Sequence, residues 1–76
     1  MTNTTADITI TRTYNTTTYE SKGFGIILAA VDRLGDYLWR ATCYFTDEEY
    51  DEEKHGSRST AEAAALRHTT AVIDAL

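Results

Sequence analysis

Residues 46 to 56, TDEEYDEEKHG, set six carboxylates, Asp47, Glu48, Glu49, Asp51, Glu52 and Glu53, around Tyr50 within seven positions. Carboxylates this dense bind divalent cations, act as acid–base pairs, or present a negative surface to a basic partner. The segment is not an EF-hand, because it lacks the alternating ligands, the central glycine and the distant glutamate of that loop. His55 and His68 are thirteen positions apart, with no Cys or paired acid at metal-ligand spacing. Cys43 is the single cysteine and lies in an apolar run, which reads as a buried, inert thiol in a reducing, cytoplasmic setting. GFG at 23 to 25 lacks the length and the lysine of a phosphate loop. These exclusions predict no catalytic residues, no metal and no cofactor, and leave a non-enzymatic binding role.

The charge distribution points to the kind of partner. The formal net charge is −5, and without the six clustered carboxylates the remainder is +1, so the acidity is concentrated in one segment. Lysines are few, only Lys22 and Lys54, which argues against binding nucleic acid through a basic field. A basic protein is the complementary partner. Its lysine or arginine heads would meet Asp47, Glu48, Glu49, Asp51, Glu52 and Glu53 while their stems lie over the Tyr50 ring. The bland alternative is a solvated acidic helix with Tyr50 covering one edge of the core.

The elements that must position this segment follow from periodicity. Seventy-six residues make one small domain, 1–76, with residues 1–5 polar and loose. Neither a basic leader nor a membrane-spanning apolar run is expected, the longest apolar run being FGIILAAV. ADITITRTY, residues 6 to 14, alternates apolar and threonine positions as a strand does. NTTT reads as a turn or strand end, and YESKGFGIILAAV resumes with apolar residues on both parities, as in a covered central strand. Residues 26 to 41 also fit a helical stripe, but DRLGD has hairpin-turn chemistry and YLWRATCYF alternates in strand-favouring residues, so a hairpin is preferred. Trp39 is expected to share a core face with Tyr37 and Ala41.

Thr46 with Glu49 forms a capping box and Gly56 stands as a C′ glycine, which predicts a short acidic helix from Asp47 to about Lys54. Its i,i+4 like-charge pairs, such as Asp47 with Asp51, each cost roughly 0.2–0.5 kcal/mol. That crowding exceeds what solubility requires and leans toward a binding role. Ser59 with Glu62 forms a second box ahead of a C-terminal helix whose apolar face is Ala65, Leu66, Thr69, Val72, Ile73 and Leu76. The expected fold is α+β: a three-stranded antiparallel sheet, a short acidic helix, and a C-terminal helix packed on the sheet.

As a whole-chain profile, a short, acidic, cysteine-poor domain with a small sheet and a concentrated carboxylate patch resembles the anti-CRISPR proteins of phages and mobile elements. The resemblance implies an inhibitor that mimics DNA, occupies a lysine- and arginine-lined channel of a Cas complex subunit in the cytoplasm of a host bacterial cell, and blocks DNA binding. More locally, GSRSTAEAAALRH, residues 56 to 68, is similar to the stretch of HicB-like antitoxins in which a glycine and a threonine precede an alanine-rich helix. That similarity implies a small-toxin partner and buried apolar surface. A protein-interaction or oligomerisation domain is the remaining alternative.

Overall fold

The computed structural model describes residues 7–46 and 48–75. Five strands, β1 (Ile8–Arg12), β2 (Thr16–Ser21), β3 (Ile27–Gly35), β4 (Leu38–Tyr44) and β5 (Tyr50–His55), precede one helix, α1 (Arg58–Ala75). The strands form a single antiparallel meander in sequence order, so β3 is central and β1 and β5 are the two edges. The helix lies along one face of the sheet, chiefly over β3 and β4.

Period-two alternation builds the core. Thr17 and Tyr19 of β2, Ala29 and Val31 of β3, and Trp39 and Ala41 of β4 point to the helix and are buried, against Ala61, Ala64 and Ala65. Three alanines on that helix face let its backbone approach the sheet closely, so Trp39 and Tyr19 supply the bulk of the packed area. Buried polar groups are matched: the Thr69 hydroxyl donates to the Ala65 carbonyl at 2.8 Å and the Tyr19 hydroxyl to the Glu62 carbonyl at 3.3 Å. The Cys43 thiol is buried as expected, and burial, then the charges of Glu53 and Asp51, push its pKa up.

Among the described residues the sheet has five strands rather than three, and there is one helix rather than two. The first extra strand arises because the run expected as one central strand is two, β2 and β3; NTTT, expected as a turn or strand end, gives Asn15 to the β1–β2 turn and its threonines to β2. The turn closes at Thr13–Thr16, where the Thr13 amide donates to the Thr16 carbonyl at 2.8 Å and the Thr16 amide to the Thr13 hydroxyl at 3.1 Å. The threonines that follow belong to β2, as β-branching favours. Ala6, the expected start of the first strand, lies outside the described residues. SKGFG, expected inside one strand, instead turns the chain between β2 and β3: the Gly25 amide donates to the Ser21 carbonyl at 2.8 Å, and Gly25 takes φ +67°, a left-handed conformation glycine adopts without a Cβ clash.

The second extra strand replaces the predicted acidic helix. Residues 50 to 55 are β5, paired with β4 from Tyr44↔Tyr50 to Trp39↔His55. A strand relieves the like-charge crowding of a helix, because successive carboxylates alternate between faces. The expected Thr46 cap exists in another form: the Thr46 hydroxyl accepts from the Glu48 and Glu49 amides at 3.2 and 3.0 Å, and the Phe45 amide donates to the Glu49 carbonyl, closing the β4–β5 turn. Helix α1 starts one cap earlier than predicted. Ser57, not Ser59, accepts from the Thr60 amide at 3.3 Å, and Glu62 reaches across to the sheet instead of back to a cap. The β3–β4 hairpin is present as expected, but Tyr37 sits in its turn, 86% exposed, while Trp39 and Ala41 face the core.

Candidate functional site

The acidic stretch occupies the β4–β5 turn and the β5 edge. Glu48 and Glu49 are exposed in the turn, and Asp47 lies outside the described residues. Register divides the rest by face: Asp51 and Glu53 stand opposite Cys43 and Ala41 on the helix side, whereas Tyr50 and Glu52 stand opposite Tyr44 and Thr42 on the other. All four are exposed because β5 has a neighbour on one side only. Side chains on one face repeat at about 6.7 Å along such a strand, so Asp51 and Glu53 form a short acidic row on the helix side while Glu52 stands between Tyr50 and Lys54 on the other, instead of one cluster.

The carboxylates differ in how free they are. Arg40 of β4 donates through Nε and Nη2 to both oxygens of Asp32, at 3.0 and 2.8 Å, and its Nη1 lies 3.6 Å from Glu52. The Asp32 hydrogen bonds, then its charge, raise the Arg40 pKa further. Glu52 is therefore partly neutralised, and Arg40 links it to Asp32 of β3. Glu53 lies 3.2 Å from His55. Among the described residues, Glu48, Glu49 and Asp51 make no ion pair.

Tyr50 does not cover the core. It is 53% exposed, with its ring centroid 6.0 Å from that of Tyr44. Tyr44 also lines a groove of about 450 Å³ walled by Leu28, Ile26, Ile27, Phe45 and Glu20. Phe24, 66% exposed in the β2–β3 turn, adds to an apolar and aromatic patch at this end of the sheet. Phe45 is held by an edge contact to the His68 ring at 5.1 Å, and His68 Nε2 lies 2.9 Å from the Tyr44 carbonyl. Sequence reasoning missed this patch. The signal was GFGII, whose apolar residues on both parities suit a central strand but whose first residues fall in the turn and remain uncovered.

A second polar constellation lies at the opposite end. The Arg58 guanidinium sits 5.0 Å over the Trp39 ring and donates to the carbonyls of Thr13, Tyr14 and Thr16 at 2.6 to 2.8 Å. Glu62 accepts from Arg12 at 2.9 Å, from the Thr17 hydroxyl at 2.6 Å and from Arg58 at 3.3 Å. Burial alone would raise the Glu62 carboxyl, but the Arg12 and Thr17 hydrogen bonds and the Arg12 and Arg58 charges outweigh it and hold it below the usual carboxylate range. Its donors are engaged by the fold, so this network anchors the helix start to the β1–β2 turn.

Among the described residues no group of three or more His, Cys, Asp or Glu is placed to hold a metal ion, and no helix is long and apolar enough to cross a membrane. No sequence family, no curated protein and no solved structure matches the chain.

Proposed function

We propose that this protein is a non-enzymatic inhibitor of the anti-CRISPR kind, which occludes a basic, nucleic-acid-handling protein, a Cas complex subunit, by laying the β5 edge against its lysine- and arginine-lined channel. The observation that carries the reading is the placement of Tyr50. It stands exposed between the β4–β5 turn and β5, whose carboxylates Glu48, Glu49 and Asp51 have no ion pair among the described residues, and next to Tyr44, which lines a groove. Interfaces that grip basic partners combine such an aromatic anchor with charges that steer the encounter and fix its register. Edge strands are also charged simply to prevent aggregation. That role explains the acids but not an exposed aromatic–apolar patch next to them.

The test is direct competition. Purified Cas effector complexes of several subtypes are titrated with the protein, and target-DNA binding is followed at rising salt. A bound complex that loses DNA binding, with affinity falling steeply as salt rises, supports the reading. Complexes that bind DNA undisturbed at saturating protein overturn it. The groove favours one second reading, an antitoxin-like partner of a small protein that buries apolar surface. Affinity for such a partner would be nearly independent of salt and lost on Phe45→Ser.

A further inference from the structure

The two sheet edges are built differently. The β5 edge carries Asp51, Glu52, Glu53 and Lys54 in succession, a row of charge that repels another strand. The β1 edge, ITITR, has no proline and no lysine, its ladder to β2 runs from Ile8↔Ser21 to Arg12↔Thr17 without a bulge, and its one charged residue, Arg12, is already hydrogen-bonded to Glu62. Helix α1 packs across β2 to β5, leaving Ile10 on the helix side of β1 46% exposed. Among the described residues nothing pairs with the outer edge of β1, and a strand of β-branched residues with an exposed isoleucine at its centre is a template for a further strand.

We propose that this further strand is β1 of a second copy, paired antiparallel across a two-fold axis into one continuous ten-stranded sheet. The sequence of β1 is self-complementary about Ile10. With Ile10 opposite Ile10 of the second copy, Thr9 falls opposite Thr11 on the open face, and Ile8 falls opposite Arg12 on the helix side. This buries two half-exposed isoleucines as a cross-strand pair, adds two Thr–Thr pairs and brings no like charges together. The same operation on β5 would place carboxylates against one another about its centre, so charge selects β1. The contact lies across the sheet from the acidic edge, about four strand spacings or roughly 19 Å away. The dimer therefore presents β5 twice, at its two outer ends, and the inference stands independently of what β5 binds.

Sedimentation velocity of the full chain, from about 1 µM to about 500 µM, measures this association by mass action. The mass is expected to rise from the 8.5 kDa protomer to twice that value and to stop there. Ile10→Lys and Thr11→Lys, each shown by circular dichroism to keep the native spectrum, are expected to remain at the protomer mass over the same range. Both positions are exposed, so at least one variant retains the fold. Glu53→Gln, on the opposite edge, is expected to dimerise as the unmodified protein does. A protomer mass at every concentration, a dimer equally stable in both lysine variants, or growth past the dimer into open-ended polymers would each overturn the proposal.

Discussion

Tyr44 and Tyr50 stand directly opposite one another in the β4–β5 ladder, rings 6.0 Å apart and tilted by 53°. Strand pairing thus holds the aromatic ring of the acidic segment beside Tyr44, which lines the groove. Tyr50→Ala should cost about 1 kcal/mol or less of stability, the worth of one exposed aromatic pair. It should nonetheless weaken partner binding far more than it lowers the urea midpoint. Equal, small effects on both would place the contact elsewhere.

Neutralising Glu48, Glu49, Asp51 and Glu53 to their amides should leave the fold intact, because each is exposed and none pairs with an arginine or lysine among the described residues. Binding should fall and its salt dependence flatten, since fewer charges are engaged. Full retention of affinity and salt slope would remove β5 as the contact surface.

Asp32 and Asp36 are predicted to behave differently from each other although both flank the same hairpin. Asp32→Asn leaves Arg40 one neutral acceptor, turns an amide NH2 toward its other donor, and should destabilise by roughly 1–2 kcal/mol, while the exposed Asp36 should matter little. Urea midpoints of the two variants measure the difference. Because Arg40 also reaches Glu52, Asp32→Asn should also alter binding at the acidic edge if Glu52 contributes to it.

Trp39 is 9% exposed beneath Arg58 and packs in the core cluster. Trp39→Ala should cost about 3–5 kcal/mol and threaten the folding of so small a domain. Trp39→Phe keeps an aromatic face for Arg58 and should be clearly milder. Equal destabilisation by the two variants in chemical denaturation would show that neither the retained ring volume nor the aromatic face beneath Arg58 carries the cost, and that the indole itself is required.

Glu62 gives the stability a pH dependence of defined sign. Its folded pKa lies below the ordinary value of 4.5, so the stabilisation is fully present above that value and is lost as pH falls through the depressed one. Glu62→Gln should therefore be less stable than the unmodified protein at neutral pH, and the gap should narrow on acidification below the ordinary carboxyl value. A gap that stays constant with pH would mean that the hydrogen bonds to Glu62 matter but its charge does not.

The sequence alone determined the local tendencies: a β strand about Ile8 to Arg12, the β3–β4 hairpin signalled by DRLGD, a core face for Trp39 and Ala41, a buried Cys43, and a long C-terminal helix facing the sheet through Ala65, Leu66, Thr69 and Ile73. These follow from period and turn chemistry within about a dozen residues, where one pattern wins clearly. DEEYDEEK carries too few apolar residues for its period to decide between helix and strand, and its capping signal pointed to a helix. Only pairing with β4 made it a strand, because the open backbone groups of β4 supply a ladder that an isolated acidic helix, weakened by like-charge repulsion, cannot match. The β1–β2 turn was likewise settled by a distant residue, Arg58, whose guanidinium gathers the carbonyls of Thr13, Tyr14 and Thr16. The acids and Tyr50 were legible as a candidate surface from composition, but the groove beside them was not. It exists only where the β2–β3 turn and the end of β4, some twenty residues apart in the chain, come together at one end of the sheet.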